Sequence, residues 1–249
     1  MIDLQNVTKI FAKNGKKAVD NLTLHVEGGE LFGFIGPNGA GKTTTIKMMT
    51  GILSPSEGTV TMAGHRMDED RLAAQRLIGF VPDRNDLYDR LTGIEYLNFM
   101  ADIYQVDAAH RKAHIEKYLS LFTLEDAINN QIRSYSKGMK QKLVVIGALI
   151  HNPPVWILDE PLSGLDPRAA HLLKEEMKRH CEAGNTVFFS THVLEVAEKL
   201  CSRIGIIDEG RLKALGTLDE LRSGEVGASL EDLFLELTDD GENNGGAEA

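Results

Sequence analysis

Cysteine is scarce in this sequence: of 249 residues only Cys181 and Cys201 are cysteine. Standing 20 positions apart, they match neither a CxxC redox pair nor a zinc-ligand spacing, so a disulfide-stapled scaffold is excluded and both are read as reduced, structural thiols. Long apolar runs are missing as well. No stretch reaches the roughly 18 apolar residues of a membrane span, and the opening MIDLQNVTK puts Asp3 where a secretory signal would be basic. The chain is therefore expected to act in the cytoplasm. Positive charge is in deficit, with 27 Lys and Arg against 37 Asp and Glu and a net charge of -10. That balance argues against nucleic acid as a partner, because binding a phosphate backbone rests on Lys and Arg neutralising it. Internal repeats, low-complexity linkers, a G-x-S-x-G motif and a Cys/His active-site signature are all lacking.

What is present is ordinary globular material, 42% hydrophobic and 26% charged, long enough for one large α/β domain or one domain with an insert. Short β-rich segments fill the first third: Ile2 to Val7, Leu22 to Val26, Leu31 to Ile35, Thr59 to Met62 and Ile78 to Val81, with a helical stretch after Gly41. From about Asp83 to Gly147 apolar residues recur at three- and four-residue spacing, as in YLNFMADIY and HIEKYLSLF, which predicts a helical block. Strands return at Val155 to Leu158, Thr186 to Ser190 and Ile204 to Ile207, alternating with helices over Ala169 to Ala183 and Val193 to Leu200. Such alternation predicts a parallel sheet covered by helices, against which the helical block packs. From Asp239 the sequence DDGENNGGAEA has no apolar periodicity and predicts a flexible acidic tail.

The chemistry is concentrated in two motifs. Gly36-Pro37-Asn38-Gly39-Ala40-Gly41-Lys42-Thr43 satisfies G-x-x-x-x-G-K-[ST], between the apolar strand LFGFI and a helical run that continues with Thr44. Its glycines let successive N–H groups turn inward around phosphate oxygens, and the following helix adds its positive end. Lys42 then reaches the β- and γ-phosphates and Thr43 offers a hydroxyl to Mg²⁺. Val155-Trp156-Ile157-Leu158-Asp159-Glu160 is an apolar strand ending in two carboxylates. Asp159 suits Mg²⁺, while Glu160 suits polarisation of an attacking water. His110 and His114 share a helix face, but without a nearby Cys or carboxylate ligand they read as a solvated surface.

A third motif makes the set recognisable. Tyr135-Ser136-Lys137-Gly138-Met139-Lys140-Gln141-Lys142, whose Ser136 lies 23 residues before Asp159, resembles the signature segment of ATP-binding-cassette proteins. Ser163-Gly164-Leu165-Asp166 resembles the family's loop after the catalytic carboxylate, and Ser190-Thr191-His192 its histidine switch. The resemblance runs from about Ile2 to Thr217. It implies an α/β fold of the P-loop NTPase (RecA-like) kind, with a parallel-sheet core, an antiparallel β subdomain and an α-helical subdomain inserted at about 83–147. The cassette then spans 1–238 and the tail 239–249.

The resemblance also implies ATP and Mg²⁺ as cofactors, with Phe11 stacked on adenine and residues 36–44 around the phosphates. His192 holds Glu160 and its water, and Thr43, Asp159 and Asp83 serve the metal; Asp83 stands where relatives place a glutamine. Two cassettes are expected to close head to tail, so that Ser136 and Gly138 of one face the ATP of the other. The family's more frequent signature has Gly and Gln where this chain has Lys137 and Met139, so Lys137 brings a positive charge toward the γ-phosphate. YSKGMKQKL and SLEDLFLELT resemble the branch that drives bacterial exporters. That branch implies a separate integral membrane permease docked near DRNDLYDRLTGIEYL, with this chain peripheral on the inner face of the cell membrane. Two alternatives differ in class. A soluble chromosome-maintenance or translation ATPase fits poorly, since 94 residues between Lys42 and Ser136 leave no room for a long coiled coil. A regulatory module without turnover fits poorly with Glu160 and His192 in place.

Overall fold

The computed structural model describes residues 1–11, 15–84, 86–222 and 230–239. Strand β1 (Ile2–Ile10) pairs antiparallel with β2 (Lys17–Val26) and with β4 (Glu57–Met62), and β4 pairs with the two-residue β5 (His65–Arg66). Leu22, Leu24 and Val26 of β2 are buried while the residues between them are exposed, the alternation of a sheet with one wet face. A second sheet has the order β10-β9-β3-β8-β7-β6. Its parallel members are β3 (Leu31–Ile35), β6 (Ile78–Val81), β7 (Val155–Asp159), β8 (Thr186–Thr191) and β9 (Arg203–Asp208), and β10 (Arg211–Gly216) closes one edge antiparallel. Strands β3, β7 and β8 are buried throughout, as apolar strands covered on both faces must be.

Parallel register decides what meets at the end of this sheet. Ile35 lies opposite Thr191 and Asp159 opposite Ser190. The residues that follow β3, β7 and β8, which are Gly36, Glu160 and His192, therefore emerge at one edge. Ligands of open α/β sheets gather at such carboxyl ends.

The helices begin where side chains satisfy their first N–H groups. α3 (Gly93–Ile103) opens with a capping box between Thr92 and Glu95, and α4 (Ala108–Phe122) is capped by Asp107. Ser136 caps α5 (Lys137–Leu149), and Asp166 caps α6 (Pro167–Glu182), whose proline sits in the first turn where no N–H is needed. Leu97, Tyr118, Phe122 and Ile132 from the helical block share one core with Trp156, Leu158 and Val187 of the sheet. On the other face α1 (Lys42–Met49) buries Ile46 and Met49 against Phe32, Phe34 and the antiparallel sheet.

Several boundaries differ from the sequence reading. Residues 83–84 and 86–92 are not helical: Thr92 and Glu95 place the first helical turn at Gly93, ten residues later than the periodicity suggests. Strand β10 and the short helix α2 (Arg71–Arg76) have no strong apolar period and were not expected. α7 (Leu194–Leu200) is followed by α8 (Leu218–Arg222) and α9 (Leu230–Asp239). Asp239 thus ends a helix instead of starting a tail, and 240–249 lie outside the described residues. His114 is half-buried with Nδ1 2.7 Å from the Ile150 carbonyl, so it ties α4 to the core and is not part of a solvated face. The two cysteines carry free thiols, and burial pushes Cys181 up to about 11.

Candidate nucleotide site

The turn from β3 into α1 is built on two close approaches. A Cβ on Gly36 would lie 2.2 Å from the Ile207 carbonyl oxygen, and one on Gly41 would lie 2.6 Å from that of Ala18. Gly41 also has φ 110° and caps α1 without any side-chain bond, so the first N–H groups of the helix face the loop. Lys42 is 7% exposed and curls back over the turn, donating to the carbonyls of Gly36 (2.6 Å) and Pro37 (3.1 Å). Its Nζ stands 3.9 Å from Glu160 Oε1. Burial pushes the ammonium below its ordinary pKa, and Glu160 and Asp159 oppose that shift.

Opposite the loop, one relay of hydrogen bonds fixes both carboxylates. The Thr43 hydroxyl donates to Asp159 Oδ2 at 2.8 Å and the Ser190 hydroxyl to Asp159 Oδ1 at 2.6 Å. Ser190 Oγ also accepts the Glu160 N–H at 3.1 Å. Glu160 takes a left-handed φ of 50°, uncommon for a residue with a side chain. Its half-buried carboxylate lies 3.0 Å from Nδ1 of the exposed His192.

These groups surround a cleft of about 200 Å³ lined by Pro37, Asn38, Gly39, Gly41, Lys42, Thr43, Thr44, Asp83, Asp159 and Glu160, with Ala18. Ala18, Asn38 and Gly39 also wall a second cavity of about 450 Å³ that contains Phe11, Ala40, Lys16, Lys17 and the turn Asp208–Gly210. Phe11 is 41% exposed there, a free aromatic face next to the loop. The polar cleft and the wider cavity with its aromatic wall adjoin, since they share Ala18, Asn38 and Gly39. Ser136 and Gly138 line neither cavity. They stand at the start of α5, where Ser136 Oγ accepts the Met139 N–H at 3.2 Å.

A family model described as ABC transporter matches residues 19–163. The chain belongs to the ABC transporter family. It is similar to Nod factor export ATP-binding protein I of Cupriavidus metallidurans, 36% identical over 94% of this chain and 77% of that protein. Linearmycin resistance ATP-binding protein LnrL of Bacillus subtilis is 35% identical over 98% of the chain and 76% of its own length. A solved ATP-binding subunit of an ABC transporter superposes with a TM-score of 0.91 at 35% identity, covering 95% of this chain and 99% of that one. The ATP-binding cassette MJ0796, solved as a dimer in a post-hydrolysis state bound to ADP and Pi, superposes with a TM-score of 0.79 at 28% identity, covering 87% and 98%. The fold is accordingly that of a P-loop NTPase cassette, and this family member is an ATP-binding and ATP-hydrolysing subunit of the exporter type. Among the described residues no helix is long and apolar enough to cross a membrane.

Sequence reasoning did not assign Ser190 its bonds to the Asp159 carboxylate and the Glu160 N–H, nor did it find the contribution of Lys16, Lys17 and Asp208–Gly210 to the wider cavity. The signals for Ser190 were its position at the end of the apolar run TVFFS and its place in Ser190-Thr191-His192.

Proposed function

We propose that this chain hydrolyses ATP at the cleft between residues 36–44 and Asp159–Glu160, as one half of a cassette pair that drives an integral membrane permease. The observation that carries this reading is the relay from Thr43 through Asp159 and Ser190 to Glu160 and His192, set at the mouth of a phosphate loop. Lys42 and the loop N–H groups take the phosphates and Phe11 takes the adenine. Glu160 polarises the attacking water, and His192 holds Glu160 in position for it. The Thr43 hydroxyl and the Asp159 and Asp83 carboxylates are hard oxygen donors at one cleft, a set that fits Mg²⁺. When bound there, Mg²⁺ would neutralise charge on the phosphate oxygens.

Ser136 and Gly138 serve the ATP of the opposite cassette in this reading, which their absence from both cavities supports. Whether the two cassettes are identical or related chains, each site is incomplete alone. The permease docks on the segment DRNDLYDRLTGIEYL, where the exposed Tyr88 packs edge to face on Phe99; Ile52, Leu72, Phe80 and Ile103 line a separate apolar groove of about 330 Å³. The block 83–147 forms the inserted arm of a cassette spanning 1–238. Export as the direction of transport, and a place on the inner face of the cell membrane, rest on relatives whose names state export and resistance.

The test compares wild type with Glu160→Gln. The variant is expected to bind ATP, lose about 100-fold or more of its turnover and accumulate as an ATP-bound dimer; equal turnover removes Glu160 from its role. Purification of the chain from detergent-solubilised membranes of its host should bring down a polytopic membrane protein in near-equal amount. A purely soluble partner set would instead favour a soluble cassette ATPase.

A further inference from the structure

The loop that follows Glu160 is gripped by the first turns of α5. Gln141 Nε2 donates to the buried Pro161 carbonyl at 3.0 Å, and Lys142 Nζ lies 3.5 Å from Asp166. Gly138 approaches so closely that a Cβ on it would stand 3.0 Å from the Gly164 carbonyl oxygen. Lys137 completes the grip from outside. Its Nζ donates to Ser163 Oγ at 3.4 Å, and its stem lies across Gly164, where an added Cβ would meet Cδ and Cε at 3.0 Å.

The position of this side chain differs from what its charge suggests. The ammonium is directed at the chain's own loop, and Ser163 and Gly164 are otherwise exposed. The same loop is bonded back to the catalytic strand, since the Ser163 N–H donates to the Glu160 carbonyl at 3.2 Å. Glu160 itself holds a left-handed φ of 50°, a conformation that persists only when its surroundings over-determine it. Gly164, with φ 79°, lies between Glu160 and the cap of α6 at Asp166. A long side chain laid over that glycine limits how far the loop can drift and carry Glu160 with it.

We propose that Lys137 is a positioning residue for hydrolysis, tying the loop after Glu160 to the helix that opens at Ser136 and so holding Glu160 in line with its water. The proposal rests on Glu160 acting as the base. Lys137 touches neither nucleotide nor metal in this role, so it acts on the rate and not on ATP binding. A side chain that fixes geometry through contacts of this weak kind accounts for a modest part of the barrier.

Steady-state ATPase kinetics of Lys137→Ala, Lys137→Met and Lys137→Arg test it, with Glu160→Gln as the control. Lys137→Ala is expected to lower kcat about fivefold while KM stays within about twofold, and Lys137→Arg to restore most of the rate. Lys137→Met keeps the stem but not the ammonium and should fall between them. Ser163→Ala combined with Lys137→Ala should be no slower than Lys137→Ala alone, because both remove one contact. In the Glu160→Gln background, Lys137→Ala should still form the ATP-bound dimer. An unchanged kcat in Lys137→Ala overturns the proposal. So does a raised KM or a lost dimer, which would assign the ammonium to the phosphates of the opposite cassette. If Glu160→Gln itself turns over normally, the failure lies with the base assignment and not with Lys137. Because Lys137 is exposed, thermal melting of each variant should match wild type, and a large loss of stability would reassign the effect to folding.

Discussion

The phosphate loop and the Ser136 segment are both helix N-termini, and they are held in opposite ways. At the phosphate loop, Gly41 caps α1 with no side-chain hydrogen bond, and a relay of bonds runs across the cleft: the Thr43 and Ser190 hydroxyls to Asp159, the Glu160 N–H to Ser190, and His192 beside the Glu160 carboxylate. At α5 the cap is filled by Ser136, and the charged side chains of the first turns reach sideways to residues 161–166 and to Asp89. The first terminus is built to receive a ligand from outside the protein. The second is built to be carried as a unit with its neighbours. In the proposed function this is the difference between the half-site that grips ATP and the half-site that is presented to a partner.

The sharpest way to break the comparison is Lys42→Ala. It removes the cation that donates to the Gly36 and Pro37 carbonyls and is expected to weaken ATP binding by about 10-fold or more, read by equilibrium nucleotide binding. A Ser136→Ala change, at the other terminus, should leave binding to the isolated chain within about twofold and act on the dimer. If the two variants lose affinity equally, the division between the termini fails.

Ser190→Ala comes next. It leaves Asp159 Oδ1 and the Glu160 N–H without their shared partner, a cost of about 1–3 kcal/mol. The expected result is a fall in kcat of about 10-fold with a smaller effect on ATP affinity, measured by steady-state kinetics beside nucleotide binding. An unaltered kcat would mean that Glu160 is held by the backbone alone.

Acid should act on the junction between the helical block and the sheet. His151 stacks on Tyr104 with ring centroids 3.6 Å apart, and burial pushes its pKa from the ordinary 6.5 down to about 4. The folded pKa lies below the unfolded one, so the unfolded chain binds more protons as pH falls through this window. Stability is therefore whole above about pH 6.5 and is lost progressively toward pH 4, by up to about 3 kcal/mol. Denaturant unfolding across this range should be steeper for wild type than for His151→Phe; equal slopes would remove His151 from the acid response.

The smallest effect is expected at the edge of the cavity. Phe11→Ala should weaken ATP binding by about threefold to 10-fold, and Phe11→Tyr should restore it, since stacking needs a π-face. Loss with both variants would assign Phe11 a packing role in the β1–β2 turn.

Much of the site is local in sequence. Residues 36–44 are a continuous run whose glycines and lysine need only a preceding strand and a following helix to become a phosphate cradle. Asp159 and Glu160 end an apolar strand that cannot continue into water. The pairing of Ser190 with Asp159 was not legible, because it depends on parallel register between strands 31 residues apart. The Asp208–Gly210 wall of the wider cavity was hidden for the same reason, standing about 170 residues from the loop it faces. Nor could spacing show that Lys137 turns to Ser163, since exposed lysines carry no periodic signal. The reading of His114 as part of a solvated face fails because apolar periodicity does not report which polar residues find carbonyls.

By itself the sequence determined the kinds of element and the chemistry they carry: glycines where the backbone must bend around phosphate, carboxylates where an apolar strand ends, capping residues where helices begin. These are decided by covalent geometry, hydrogen-bonding capacity and solvation within a few residues. Only the tertiary structure decided which of those groups meet. Strand register set Ser190 between the Asp159 carboxylate and the Glu160 N–H, and packing laid Lys137 over Gly164. Contacts between distant segments depend on how whole faces bury together, which no local pattern encodes.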